Sequence, residues 1–337
     1  MNNFVKYAIE QYGGSIHPLI VPAKYTGGTG LMNPSVYNDR GKIFTVLRHV
    51  NYTFYHSEKK IFLHPWGPLT YLHPEKDMHL RTTNYFCELD PKSLEMKRFT
   101  KIDMSAGDSQ YEPCWTFVGL EDARLFRWNQ KLYICGVRRD VKPNGEGRME
   151  LSEIVDDGQT VKEVPDTRFR IPAPNHPDSY CEKNWMPVLD QPYRFVKWTN
   201  PTEVVSIDPV GHTCRTEHLV QPNKFAFPRD IRGGSQVIPI GNGRRIALTH
   251  EVDLFKSDVG RKDAVYYHRF ITWDSDWNIV ASTPVFHFMD AHVEFATGMC
   301  PYGESEVLIT FGYQDNAAYV LRAPISAIIE LQASWAS

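Results

Sequence analysis

Along most of the chain the apolar positions fall in short runs of β-branched and aromatic residues broken by turn chemistry, the pattern of strands. The N-terminus departs from it. Phe4, Val5, Ala8 and Ile9 recur at helical spacing and Gly13-Gly14 would stop them, so a short amphipathic helix is predicted over Phe4–Tyr12. Ser15 to Met32 is rich in Gly and Pro and without period, which predicts an extended arm. From there on, five runs look equivalent: Ile43–Arg48, Lys131–Val137, Tyr193–Trp198, Arg245–Glu251 and Glu306–Gly312. Each follows a distinctive start: Met32–Val36, Glu121–Arg124, Glu182–Pro187, Arg232–Gln236 and Glu294–Met299. Further strand candidates, such as Thr202–Ile207 and Tyr266–Trp273, follow some of them. Five such units predict an all-β fold, a five-bladed β-propeller with a short N-terminal helix and arm, with residues 1–31 as helix and arm and 32–337 as the propeller. The competing architecture is an irregular β-sandwich.

The first strand of every propeller blade lines the central channel, so the five starts would converge on one pocket. They would pool Asn33, Asp122, Arg124, Lys183, Asn184, Arg232, Ser235, Glu294 and Thr297, and the second strands would add Arg48, His250, Glu251 and, beyond the last, Asp315. Strand alternation puts Asp122 and Arg124 on one face and Glu121 and Ala123 on the other. Two carboxylates in such a pool suffice for inverting hydrolysis. A basic set of Arg124, Lys183 and His250, with Arg232 or Arg48, suits a phosphate. Trp185, Tyr267, Tyr313 and Trp115 offer flat faces to sugar rings. Each feature has a plainer alternative: an ion pair at a strand end, a satisfied core histidine, a solvated lysine, aromatic core filling, and a tight turn at Arg232-Gly233-Gly234-Ser235.

Composition narrows the classes. With 337 residues, 42% of them hydrophobic, the chain can bury a substantial core. A net charge of -3 gives no basic field for nucleic acid, so an anion must be met locally. The six cysteines are scattered without ligand spacing, which predicts reduced thiols and no metal. No signal core and no long apolar run are present, so a soluble cytoplasmic protein without membrane contact is expected. Gly-rich phosphate loops, His-Glu-x-x-His, nucleophile elbows and EF-hand loops are absent.

The succession Asn33-Pro34, Glu121-Asp122-x-Arg124, Lys183-Asn184-Trp185-x-Pro187, Gly233-Gly234-Ser235, His250-Glu251 and Phe311-Gly312-Tyr313-x-Asp315-x-Ala317-Ala318 resembles the five-bladed propellers of glycoside hydrolase family 130. These are the mannoside phosphorylases and β-mannosidases, and the related propeller mannosyltransferase/phosphorylases are similar too. The likeness runs from Met32 to Ile325, with Ala123 where the family usually has Pro and an uncommon version of the Glu182–Trp185 start. It implies that Asp122 is the proton donor, directly or through a sugar hydroxyl, and that Arg124, Lys183 and His250 bind phosphate. Asn33, Arg48 and Asp315 would hold the sugar, and Asn184, Arg232, Ser235, Glu251 and Glu294 complete the expected substrate-binding set.

The expected function is transfer of a glycosyl unit, mannosyl by the resemblance, with inversion, through phosphorolysis of β-mannosides or its reverse. Inorganic phosphate would be co-substrate, with no other cofactor. Partners would be a mannoside or other oligosaccharide and phosphate or a sugar phosphate. The alternatives are a glycosyltransferase using GDP-mannose, an inverting hydrolase with Glu251 or Glu294 as base, and a non-catalytic sugar-binding propeller.

Overall fold

The structure, a computed structural model, describes residues 3–27, 30–52, 79–176, 178–221, 225, 227–256 and 262–336. All five predicted runs are strands, lying within Lys42–Val50, Lys131–Arg138, Arg194–Trp198, Arg244–Lys256 and Glu306–Tyr313. Their burial is almost continuous, as in Lys42–Val50 from Ile43 onward, because both faces of the sheet are covered.

Among the described residues the strands group into five antiparallel units. The first runs Leu31–Asp39, Lys42–Val50, Leu80–Leu89 and Met96–Asp103; the second Glu121–Trp128, Lys131–Arg138, Arg148–Asp156 and Val161–Glu163. A short parallel pairing of Val161 with Ile102 and Lys162 with Asp103 fuses these two units into one ten-stranded sheet. The third unit comprises Met186–Pro187, Arg194–Trp198, Thr202–Asp208 and Thr213–Val220. In the fourth, Arg232–Gly233 and Ile238–Gly241 both pair with Arg244–Lys256, followed by Lys262–Trp273 and Ile279–Ser282. The fifth holds Glu294–Tyr302, Glu306–Tyr313 and Ala317–Pro324, and its outer strand is Ser15–Pro18 from the other end of the chain.

That last pairing ties the N-terminal segment, expected as an arm, into the body. The helix Phe4–Tyr12 precedes it, capped by the Asn3 side-chain Oδ1, which accepts from Lys6 N–H at 2.7 Å, and ended by Gly13 at φ 70. Its Phe4, Val5 and Ala8 are buried. The strand pattern expected to run to the C-terminus stops earlier, since Ile325–Ala336 is a helix whose Ala327, Ile328 and Leu331 face inward at helical spacing.

The apolar core is divided in the same way. One cluster joins Phe44, Val46 and Phe86 of the first unit to Leu125 and Ile134 of the second. Phe126 and Trp128 of the second meet Trp185 and Phe195 of the third, and Val196 and Val204 of the third meet Ala247 and Trp273 of the fourth. Leu248 and Phe270 of the fourth pack on Met299 and Phe311 of the fifth, with the N-terminal helix between them. The fifth returns to the first through Leu308 and Val320 against Val36 and Leu47. Every unit therefore packs on its sequence neighbours and the last packs on the first. Full burial of each large apolar side chain stabilises the fold by roughly 1.5–3 kcal/mol, so these junctions fix how the first strands face one another. Among the described residues no helix is long and apolar enough to cross a membrane, and all six cysteines are free thiols, three of them buried.

Candidate active site

Polar contacts stitch the first strands together at the centre. Gln236 donates its amide to the carbonyls of Val36 at 3.0 Å and Leu125 at 2.7 Å and accepts from Met299 N–H at 3.0 Å. Thr297 Oγ1 donates to the Asn33 and Pro34 carbonyls, both 3.0 Å. The Arg124 guanidinium donates from Nε to Gly234 O at 2.7 Å and from Nη1 to Asp122 O at 2.9 Å. Above this belt lies a cavity of about 180 Å³. Asn33, Arg48, Asp122, Lys183, Asn184, Arg232, His250 and Asp315 all line it, eight residues drawn from all five units.

Backbone irregularity aims these side chains. The register slips between Met32 and Ser35 and between Glu121 and Arg124, so Asn33 and Asp122 sit in bulges, which re-aim side chains. Asn33 (φ 46), Asp122 (φ 51), Asn184 (φ 62) and Asp315 (φ 47) are all left-handed, a region that Asn and Asp tolerate best and that clusters at functional sites. Gly312 makes room for one of them, since a Cβ there would come within 2.6 Å of Asn33 Oδ1. The bulge also overturns the expected alternation. Glu121 and Asp122 both face the cavity and both meet Arg48, while Arg124 turns down into the belt.

At the centre, Asp122 Oδ1 accepts from Arg48 Nη1 and from Asn33 Nδ2, each at 2.8 Å. Its Oδ2 accepts no hydrogen bond among the described residues. Arg48 Nη2 also donates to Glu121 Oε2 at 2.9 Å and to Tyr52 Oη at 3.2 Å. Burial would push the Asp122 carboxyl up, but Arg48, the Asn33 amide, Lys183 and Arg124 outweigh it and hold the group below the usual carboxylate range. Asp122 is therefore ionised in the free protein. Asp315 behaves oppositely: burial and the Asp122 charge push it up to about 6, against the pull of Arg48.

The cations are unevenly engaged. Arg48 is fully paired, whereas Lys183 and Arg232 make no ion pair among the described residues. His250 Nδ1 donates to Gly233 O at 2.9 Å, since a carbonyl only accepts, and the ring proton is therefore on Nδ1. Burial, then the charges of His268, Arg232 and Lys183, hold His250 well below its ordinary value, so the ring is neutral and offers a lone pair at Nε2. Among the described residues, the buried amide oxygens Asn33 Oδ1 and Asn184 Oδ1 have no hydrogen-bond partner.

Five polar residues named from the sequence do not line this cavity: Thr297, already placed in the belt, and Arg124, Ser235, Glu251 and Glu294. Arg124, 1% exposed, is a strut between two first strands, although its Nη2 has no partner and burial lowers it to about 10. Ser235 is internal, donating to Gln236 O at 2.8 Å and accepting from Leu248 N–H at 3.0 Å. Glu251 is held by Arg269 and by Arg229 at 3.5 Å. Glu294 accepts from three backbone N–H groups, Phe288 at 2.5 Å, Met289 at 2.9 Å and Ala291 at 3.1 Å, and so organises a turn. The cavity's rings are Tyr52, Phe117, Tyr266 and Phe295 rather than Trp185, Tyr267, Tyr313 and Trp115. Tyr266 lies parallel to the His250 ring at 5.7 Å. Its place, two residues before the register partner of His250 on the neighbouring strand, was available as a pattern of alternation. Among the described residues no cluster of His, Cys, Asp and Glu could hold a metal ion.

The fold is similar to that of a solved structure from the glycoside hydrolase family 130 of mannoside phosphorylases, with 13% identity, coverage of 87% and 84% and a TM-score of 0.54. Among solved structures the chain is similar to a β-1,2-mannobiose phosphorylase from Listeria innocua in complex with β-1,2-mannobiose, with 13% identity, 95% of this chain and 97% of that one covered, and a TM-score of 0.55. It is also similar to a glycosyl hydrolase from Bacteroides ovatus, with 13% identity, coverage of 87% and 84% and a TM-score of 0.57. A mannose phosphorylase from Leishmania mexicana in complex with phosphate ion matches with 12% identity, coverage of 89% and 85% and a TM-score of 0.51. No family model matches the chain, and no curated protein matches its sequence.

Proposed function

We propose that the protein is an enzyme acting on glycosides, a five-bladed propeller that moves a mannosyl unit between phosphate and a sugar acceptor with inversion. The observation that carries this reading is the pairing, in one cavity, of an ionised carboxylate with two cations that lack acid partners among the described residues: Asp122 with Lys183 and Arg232. The cyclic order of the five apolar junctions supports the blade count. Similarity of fold to structures holding β-1,2-mannobiose and phosphate ion supports the choice of ligands.

In this mechanism Lys183 and Arg232 receive phosphate, with His250 Nε2 accepting from a phosphate or sugar hydroxyl. The phosphate oxygen attacks the anomeric carbon as the glycosidic C–O bond breaks on the opposite side. The proton of hydrogen phosphate ends on the departing alcohol, relayed through Asp122 directly or by a sugar hydroxyl, so the products are a sugar 1-phosphate and a free acceptor. In the reverse direction Asp122 must begin as a base, which is the charge state of the free protein. Asn33, Asn184 and Asp315 hold the sugar hydroxyls. A hydrolase working here would need a second carboxylate near water; with Glu251 and Glu294 engaged elsewhere, Glu121 and Asp315 are the other carboxylates lining the cavity, and Glu121 is already paired with Arg48.

The test is a screen of purified protein with β-1,2-mannobiose, mannose 1-phosphate plus acceptor, and GDP-mannose plus acceptor, each with and without phosphate. Phosphate-dependent formation of mannose 1-phosphate, or its consumption with release of phosphate, is the expected result. Mannose release without phosphate would replace the reading with a hydrolase, and acceptor-dependent GDP release with a sugar-nucleotide transferase.

A further inference from the structure

The central cavity does not end at Lys183 and Arg232. A second cavity of about 240 Å³ shares Lys183, Asn184 and Arg232 with it. A third, of about 460 Å³, shares Cys181, Glu182, Lys197 and Trp198 with the second. The three form one run leading outward over the end of the third unit. At its outer part stands Trp198, the last residue of Arg194–Trp198, 40% exposed and with no hydrogen-bond partner for its indole among the described residues. Trp185 and Phe195 of that unit's inner junction, by contrast, are buried.

The floor beneath Trp198 is polar but electrically spent. Lys197, 6% exposed, lies 3.2 Å from Glu203 and 3.8 Å from Glu182, and Glu182 also accepts from Trp185 Nε1 at 3.2 Å. A cation already shared by two carboxylates adds no attraction for an anion. The outer run therefore suits a neutral ligand with many hydroxyls: an indole face meets the C–H side of a sugar ring, and the polar rim meets its hydroxyls.

We propose that this run is an extended glycan groove, with Trp198 as the platform for a sugar ring beyond the pair flanking Asp122. The substrate or acceptor is accordingly an oligosaccharide of at least three units rather than a disaccharide. The inference rests on the glycoside reading above, and its test separates the two.

Calorimetric binding and phosphate-dependent kinetics are measured with β-1,2-linked manno-oligosaccharides from the disaccharide to the pentasaccharide, using wild type, Trp198→Ala and Trp198→Phe. Affinity and kcat/KM should rise with length in the wild type. Trp198→Ala should lose about ten-fold on the longer sugars and nothing on the disaccharide, and Trp198→Phe should recover most of that loss. Equal behaviour of Trp198→Ala and wild type at every length, or an equal loss at every length, overturns the groove. Length-dependent binding without any turnover keeps the groove and overturns the enzyme reading. Turnover of the disaccharide with no gain from longer sugars does the converse.

Discussion

Two buried charge networks meet on the second unit, one around Arg168 and one around Asp122, and only the latter has the properties of a site. Around Arg168 the acid is saturated: Glu163 accepts from Arg168 Nε at 2.8 Å and Nη2 at 2.7 Å, from Ser152 Oγ at 2.7 Å and from Gly107 N–H at 2.9 Å. Asp108 bridges Arg168 and Arg138, each at 2.8 Å, and Arg138 reaches Asp140 at 2.8 Å. Around Asp122 the charge is comparable but unfinished. Among the described residues one carboxylate oxygen takes both hydrogen bonds, two amide oxygens take none, and two cations lack acids. Left-handed backbone at Asn33, Asp122, Asn184 and Asp315 gathers at the unfinished network. Density of buried charge is thus a poor marker of function, because a structural network reaches it too. Unused hydrogen-bonding capacity on a strained backbone is the better one.

The comparison breaks first at Asp122. Asp122→Asn retains an oxygen for Arg48 and Asn33 but can neither take up nor release a proton as an acid or base, so kcat should fall about 10²–10⁴-fold, as for loss of a general acid or base, with the unfolding transition little changed. Retention of turnover would put Asp122 in the same class as Glu163. The mirror experiment is Arg168→Ala, which leaves Glu163 buried without its main partner. Breaking such a pair costs about 3–5 kcal/mol, read by denaturant unfolding, while turnover per folded molecule should be unchanged. A specific loss of kcat would mean that the closed network serves the chemistry.

A smaller effect sharpens the assignment of the anion. Lys183→Ala removes a charged donor worth about 1.5–3 kcal/mol, so KM for phosphate should rise about ten-fold or more while binding of neutral oligosaccharide persists. An unchanged phosphate KM with weakened sugar binding would move Lys183 to the sugar side.

Much of this arrangement was legible in the sequence. The second strands are buried on both faces and announce themselves by β-branched runs, and the convergence of first strands groups Asn33, Arg48, Asp122, Lys183, Asn184, Arg232, His250 and Asp315 in one cavity. What alternation could not give is the slip between Glu121 and Arg124, because a bulge adds a residue without changing composition. Arg124 was accordingly expected beside Asp122 and lies beneath it. Glu251 and Glu294 looked available because their partners, Arg269, Arg229 and three backbone N–H groups, belong to tertiary structure. The C-terminal helix was hidden by β-branched residues that suit a strand equally well, and its tertiary contacts decide between them.

The smallest expected effect concerns Asp315, where the open network shows its cost. Its carboxyl moves from 3.8 to about 6 on folding. Between those values the folded protein holds the proton that the unfolded chain has released, so stability falls as pH rises from about 4 to about 6 and is flat above. Asp315→Asn removes that slope and should leave the variant more stable than wild type at neutral pH, by on the order of 1 kcal/mol once partial exposure is allowed for. If ionised Asp315 also holds a sugar hydroxyl, kcat/KM in the wild type has an acid limb near pH 6 that the variant lacks. Thermal unfolding and kcat/KM across pH 4 to 8 read both quantities. Parallel stability curves for the two proteins would show that Asp315 is as well solvated folded as unfolded. The contrast with the closed network would then rest on Asp122 alone.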